Sequence, residues 1–223
     1  MDKKTIAVLG GTGKEGGGLA LRWAHIGHNV IIGSRTAERA EEAASTMRET
    51  LGTAADVTGA ANADAAASAD IIVLSVPFAA QQSAVDEVAE ALEGKILIDV
   101  TVPLVPPKVG HVQLPEGGSA VEAVQRKLGE GVRVVSAFQN ISAHHLTKLD
   151  ADVECDVLVC SNDPAAADEV VALAQAIGLT AWNAGPLCNS VVAEALTSVL
   201  ISLNRRYKVP GSGIRITGVP RSA

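Results

Sequence analysis

Apolar residues in this chain gather in short unbroken runs separated by longer amphipathic stretches. Thr5 to Leu9 (TIAVL), Asn29 to Ile32 (NVII), Ile71 to Ser75 (IIVLS) and Ile96 to Val100 (ILIDV) are such runs. Val132 to Ser136 (VRVVS), Val157 to Cys160 and Leu179 to Asn183 continue the series. Runs this short and this apolar predict strands buried on both faces, as in a parallel sheet. Between them, helical sequence is predicted from Glu15 to about Ile26, closed by Gly27, and from about Ala79 to Leu92. A further helix spans Thr36 to about Leu51, with Thr36 as its N-cap and Gly52 beyond its end. After Asp163-Pro164 a helix runs to Gly178, and a long apolar one extends from about Asn189 to Arg206.

Strand and helix in alternation imply right-handed crossovers and a sheet covered on both faces. The expected fold class is α/β, a Rossmann-type doubly wound and mostly parallel sheet with a small C-terminal lobe. Residues 1–140 are expected to form the main domain of that fold. Residues 141–223 are expected to form the lobe. Two segments depart from the rhythm. Ala54 to Ala69 is Ala-rich and reads as a short strand followed by a surface helix or turn. Val102 to Gly118 carries Pro103, Pro106, Pro107 and Pro115 and reads as an irregular connection, of a length often found at sites. The last long helix is apolar nearly all round, with Val191, Val192, Ala195, Leu196, Val199, Leu200 and Leu203, so it is expected to be buried in the lobe or against a second subunit.

Composition narrows the function classes. The chain has 223 residues, of which 48% are hydrophobic and 19% charged, enough for a core without metals or disulfides. Aromatics make up only 2% and the net charge is -7, so neither the stacking platforms nor the basic face of a nucleic-acid binder is present. Cys155, Cys160 and Cys188 form no Cys-x-x-Cys pair, which points away from a metal knuckle or disulfide framework and toward a reducing cytoplasm. The opening residues lead straight into a strand pattern, so no signal peptide is expected. No apolar stretch reaches the ~18 unbroken residues of a membrane span.

The strongest motif is Gly10-Gly11-Thr12-Gly13-Lys14-Glu15-Gly16, which contains Gly11-x-Gly13-x-x-Gly16. By itself such a pattern is weak, but here it follows the first strand and opens the first helix, the context a dinucleotide fingerprint requires. Gly11 is expected to permit the tight turn, Gly13 to admit a pyrophosphate, and Gly16 to let helix and sheet pack closely. Unpaired N–H groups at the helix start then face the phosphates, and Thr12 adds a hydroxyl.

The choice of nucleotide is made at the end of the second strand. An acidic residue there would hold a free ribose diol, yet the sequence has Gly33-Ser34-Arg35. Arg35 offers a planar fork of donors to a 2′-phosphate, and Arg39 lies one helical turn further on, so NADP is favoured over NAD. Ser75, Val76 and Pro77 end the third long run at the sheet's carboxyl edge, where ligands of open α/β sheets bind. No Tyr-x-x-x-Lys is present, the sole tyrosine being Tyr207. His144-His145 starts a polar turn, and Cys188 is reactive only if placed at a helix N-terminus. An NADP enzyme without an evident acid–base residue suggests hydride exchange with another carrier, and no catalytic side chain or metal ligand is assigned.

These residues resemble the F420-dependent NADP reductases. The likeness is carried by Ile6 to Arg35, by Val134 to Ala137 (VVSA) and by Ala184 to Thr197 (AGPLCNSVVAEALT), and it extends to Gly213-Ile214-Arg215. It implies reversible hydride transfer between NADP(H) and coenzyme F420, a 5-deazaflavin, in a homodimer. By the same resemblance Thr12, Gly13, Lys14 and Glu15 match the pyrophosphate turn, and Ser34, Arg35 and Arg39 match the 2′-phosphate site. Val76 and Pro77 match the nicotinamide side, Thr101 falls at the next strand end, and Ile141 and Ala143 fall in the segment that meets the rings. Archaeal members typically carry His where Gln139 stands. A glutamine still hydrogen-bonds a deazaflavin carbonyl but cannot become cationic. Arg205, Arg206 and Lys208 are candidate partners of the acidic deazaflavin tail, although they also suit a helix C-terminus. Two other functions fit the residues alone: an NADPH-dependent reductase of a flavin, imine or ferric chelate, and an NADP-sensing module without turnover.

Overall fold

A computed structural model describes residues 2–52, 54–150 and 152–220. Residue 1 and residues 221–223, the outer ends of the two expected units, lie outside the described residues. The chain forms β1 (Thr5–Leu9), α1 (Lys14–His25), β2 (Asn29–Ser34), α2 (Ala37–Leu51), β3 (Val57–Ala61), α3 (Asn62–Ala67), β4 (Ile71–Leu74) and α4 (Phe78–Val88). There follow β5 (Ile96–Asp99), α5 (Ala120–Leu128), β6 (Arg133–Ser136), α6 (Ala143–Leu146), β7 (Asp156–Ser161), α7 (Pro164–Ala176), β8 (Thr180–Asn183) and α8 (Ser190–Tyr207).

All the strands lie in one sheet of order β3-β2-β1-β4-β5-β6-β7-β8, with β1 at the point where the winding reverses. Pairing is parallel except between β6 and β7, which run antiparallel. The two-residue side-chain period divides each strand between two cores. In β1, Ile6 and Val8 join Leu19, Trp23, Val30, Val73 and Val159 on one face, while Ala7 and Leu9 join Ile72, Leu74, Val85 and Val124 on the other. Each fully buried Ile or Leu contributes about 1.5–3 kcal/mol relative to exposure. Trp23 meets Phe138 edge to face, with centroids 5.8 Å apart.

Residues after 140 share this sheet and core. β7 and β8 extend it, and Arg22 of α1 donates to the carbonyls of Leu146 at 2.9 Å, Ile177 at 2.9 Å and Lys148 at 2.6 Å. Burial lowers the Arg22 pKa, and these carbonyls supply the partners a buried guanidinium requires.

Three features refine the sequence expectations. α5 has no counterpart among the predicted elements. α8 is only partly covered within the chain: Ala193 and Leu200 are buried together with the polar Ser190, Glu194 and Ser198, while Val192 is 59% and Val199 45% exposed. α8 meets the body of the chain through buried hydrogen bonds, described below. Helix α8 with the turn before it is long and apolar enough by composition to cross a membrane, but a third of its most apolar stretch is buried in the fold. Finally, the tight turn after β1 needs two glycines: Gly10 holds φ at 78°, and Gly11 closes the turn with its N–H on the Val8 carbonyl at 3.0 Å, where a Cβ would lie 2.8 Å from that oxygen.

Candidate functional site

The first turn of the fold is shaped by what cannot fit there. A methyl on Gly10 would run into the carbonyl of Ser75, so β1 and β4 end closer together than any other residue allows. Gly16 also approaches Ser75, less closely, since a Cβ there would lie 3.0 Å from its side chain. Gly11 is buried beneath this turn. Gly13 is the N-cap of α1, and no side chain bonds that helix start. A Cβ on Gly13 would meet only the Gly10 carbonyl, at 3.2 Å. The first N–H groups of α1 have no acceptor inside the helix, and nothing from the chain caps them with a side chain, which is the condition for seating an anion.

A cleft of about 440 Å³ opens over this turn. Thr12, Gly13, Ser34, Arg35, Arg39, Ser75, Val76 and Pro77 all border it, gathered from the ends of β1, β2 and β4. Both arginines are exposed and in no ion pair among the described residues, so their donors are available to a ligand. Gly11, Lys14, Glu15, Thr101, Gln139, Ile141 and Ala143 do not border the cleft. Lys14 is exposed at the start of α1. Glu15 is half buried, with an Oε1 that is shielded from solvent and has no hydrogen-bond partner. Burial pushes its carboxyl up to about 8.

Sequence reasoning missed Asn62, Ser83 and Glu87 on the cleft wall. Asn62 is the first residue of α3, and its Nδ2 donates to Glu87 Oε2 at 3.1 Å while its buried Oδ1 has no partner. Ala80, Ala84 and Glu87 lie at helical spacing along α4, and that spacing was the available signal.

Thr101 and Gln139 come together elsewhere, at the carboxyl ends of β5 and β6. The Thr101 N–H donates to Asp99 Oδ1 at 2.8 Å, and Gln139 Nε2 donates to the Asp99 carbonyl at 2.7 Å. Because a carbonyl can only accept, this bond fixes the orientation of the Gln139 amide. One of the donors expected to serve a ring carbonyl is therefore engaged within the fold, and Gln139 is 2% exposed. Asp99 is itself fully buried; burial raises its pKa, against the opposing bonds from Thr101 and Gln81. Phe138, just before Gln139, holds φ at 72°, a left-handed conformation that a bulky residue adopts at a cost of about 1–3 kcal/mol. Ile141 is buried and Ala143 opens α6.

Arg205 and Arg206 occupy the last turn of α8 and Lys208 is its left-handed C-cap, the placement the helix dipole favours. His145 Nε2 is 3.2 Å from the Gly211 carbonyl, and His144 packs edge to face on His145. Cys155 and Cys160 are buried and Cys188 is exposed, all as free thiols, and burial pushes Cys160 up to about 11. Among the described residues no group of three His, Cys, Asp or Glu side chains is placed to hold a metal.

Comparison with known proteins agrees with this geometry. Residues 5–103 match the family described as NADP oxidoreductase coenzyme F420-dependent. The F420-dependent NADP reductase of Methanocaldococcus jannaschii is 45% identical over 96% of this chain and 98% of its own length. That of Methanothermobacter thermautotrophicus is 44% identical over 96% of this chain and 95% of its own. A crystal structure from Arthrobacter sp. FB24, described provisionally as an F420-dependent NADP reductase, superposes with a TM-score of 0.79 at 28% identity, covering 97% of this chain and all of that one.

Proposed function

The chain belongs to the F420-dependent NADP reductase family, and on that premise we propose that it transfers a hydride reversibly between NADP(H) and coenzyme F420. The observation that carries this reading is the cleft in which an uncapped helix start, a glycine turn and two free arginines converge. A phosphorylated adenosine fits those residues. Arg35 and Arg39 supply charge-assisted donors for a 2′-phosphate, and Ser34 adds its hydroxyl beside them. Thr12, Lys14 and Glu15 offer backbone N–H groups of the turn to a pyrophosphate, which the open side of Gly13 lets approach, the Gly13 N–H being given to the Gly10 carbonyl at 2.9 Å. Ser75, Val76 and Pro77 form the wall on which a nicotinamide packs. Gly11 sits under the turn and keeps it low.

When bound, the two cofactors supply the chemistry themselves, nicotinamide C4 giving or taking the hydride and deazaflavin C5 receiving or returning it. The chain's part is alignment and exclusion of water. Holding two reacting carbons about 3–3.5 Å apart can be worth ~7–11 kcal/mol. Binding energy at Arg35, remote from the reacting atoms, is available to fix the nicotinamide in place. Thr101, Gln139, Ile141 and Ala143 are assigned to the acceptor side, where buried apolar neighbours keep water from the rings. Residues 1–140 then serve as the nucleotide-binding part and 141–223 as the acceptor-covering part of one shared sheet. The exposed Val192, Val199 and Leu203 of α8 are the surface assigned to a homodimer, and the protein is assigned to the cytoplasm.

The test is an absorbance assay with purified protein, NADPH and oxidised F420, run beside free flavin, an imine and a ferric chelate. F420 is expected to be bleached in step with NADPH oxidation. Turnover with another acceptor and none with F420 would move the chain to a different reductase reaction, and background oxidation with every acceptor would make it a sensor.

A further inference from the structure

Outside the nucleotide cleft the chain buries the carboxylates of Asp99, Asp156 and Glu194, and the reading above leaves Glu194 without a role. It sits in the first half of α8 and is 1% exposed. Its Oε1 accepts from Ser119 Oγ at 2.7 Å and from the Val121 N–H at 3.3 Å, and its Oε2 accepts from the Ala120 N–H at 2.8 Å. Ser119, the N-cap of α5, also accepts from the Glu122 N–H at 3.0 Å and lies 2.7 Å from Ser190 Oγ. A hydroxyl carries one proton, and that of Ser119 is given to Glu194, so Ser190 must be the donor to Ser119. One carboxylate thus fastens the start of α5 to α8. Burial raises the Glu194 pKa against the opposing pull of these donors.

Two further side chains of α8 bond to the segments around it. Thr197 Oγ1 donates to the Gln139 carbonyl at 2.7 Å, and Ser202 Oγ donates to the Gly110 carbonyl at 2.7 Å. The irregular connection 102–118 is therefore gripped in its middle by Ser202 and at its far end by Glu194, while Asp99 holds Thr101 at its start. None of the groups bonded to Glu194 borders the nucleotide cleft. A buried charge is an expensive way to join two helices, since well-packed apolar residues of similar volume often do so at least as stably. What a carboxylate adds is direction: three donors fix α5 and the connection at one distance and one angle.

We infer that Glu194 is a positioning residue for the acceptor half of the reaction, holding the 102–118 connection and the start of α5 in register with Thr101 and Gln139. This rests on the proposed F420 chemistry for its kinetic consequence, but not for its structural one. In Glu194→Gln the side-chain volume is kept, while an amide group must face the backbone N–H donors of α5.

The test uses the full chain. Peptide-resolved hydrogen exchange of Glu194→Gln is expected to show faster exchange in residues 102–123, with the β1–α1 turn unchanged. The KM for F420 is expected to rise about tenfold and kcat to fall by up to about 100-fold, as misalignment by an ångström does. The Kd for NADPH is expected to stay within about twofold, since its contacts lie in the other cleft. Ser190→Ala, which removes only the donor to Ser119, should move the same quantities in the same direction by a smaller factor and carries the test if the first variant does not fold. Exchange that is unchanged in 102–123, or that rises across the whole chain with NADPH binding weakened as much as F420, overturns the inference. Wild-type protein that leaves F420 unreacted, with exchange still changed only in 102–123, would instead fault the acceptor assignment and leave the latch standing.

Discussion

The two ends of this sheet edge are built in opposite ways. Around the glycine turn the polar groups are open: the start of α1 has no side-chain cap, and Arg35 and Arg39 are exposed. Around β5, β6 and α8 the polar groups are turned inward: Asp99, Gln139 and Glu194 are at most 2% exposed and bonded within the fold, while Thr101 Oγ1 and Gln139 Oε1 are buried without a hydrogen-bond partner among the described residues. An open set of donors is a ligand site already in shape. A set bonded within the fold is a frame, which decides where its neighbours stand. On the proposed function, the nucleotide half of the molecule works by contact and the acceptor half by placement.

The contrast breaks most severely at Gly10. Gly10→Ala puts a methyl into the Ser75 carbonyl at a φ of 78°, and the closeness of β1 to β4 depends on its absence. Stability is expected to fall by about 3 kcal/mol or more in a denaturant titration, with NADPH binding lost alongside. A variant as stable as wild type would mean that the turn is not the tight element described.

A smaller effect sharpens the comparison at Glu15, a closed group inside the open half. Its carboxyl is raised to about 8 from an ordinary 4.5, with burial as the cause. A raised folded pKa means that the neutral form suits the fold, so this group's favourable contribution is complete below 4.5 and is lost as pH rises through about 8. Ionisation also places a negative charge in the turn assigned to a pyrophosphate. Between pH 6 and 9, wild-type Tm and NADPH affinity are both expected to decline, and Glu15→Gln should flatten both profiles. Parallel profiles in the two proteins would show that Glu15 does not titrate in this range.

The same contrast explains what could be read from the sequence. The glycine turn, Arg35, Arg39 and the Val76-Pro77 strand end lie within a few residues of apolar runs that fix their place, so local pattern was enough to bring them to one cleft. The strands themselves were legible for the same reason, although an apolar run such as Val157 to Cys160 says nothing of direction, and β7 turned out antiparallel to β6. α5 was legible and went unread: Ser119 with Glu122 three residues on is a capping signal behind a proline-rich stretch. The frame was out of reach. Glu194 meets Ser119 across 75 residues and Gln139 meets Asp99 across 40, and no periodicity encodes such pairs. Apolar count alone did not locate the covered side of α8, where Ser190, Glu194 and Ser198 are buried beside Ala193 and Leu200.

The most direct test of the account is a paired titration of wild type and Arg35→Ala with NADPH and NADH. A charge-assisted pair with the 2′-phosphate is worth about 1.5–3 kcal/mol, so NADPH should bind roughly 10- to 100-fold more weakly to the variant while NADH is nearly unaffected. Equal weakening of both nucleotides, or none of either, would contradict the seating of the phosphorylated adenosine at the end of β2.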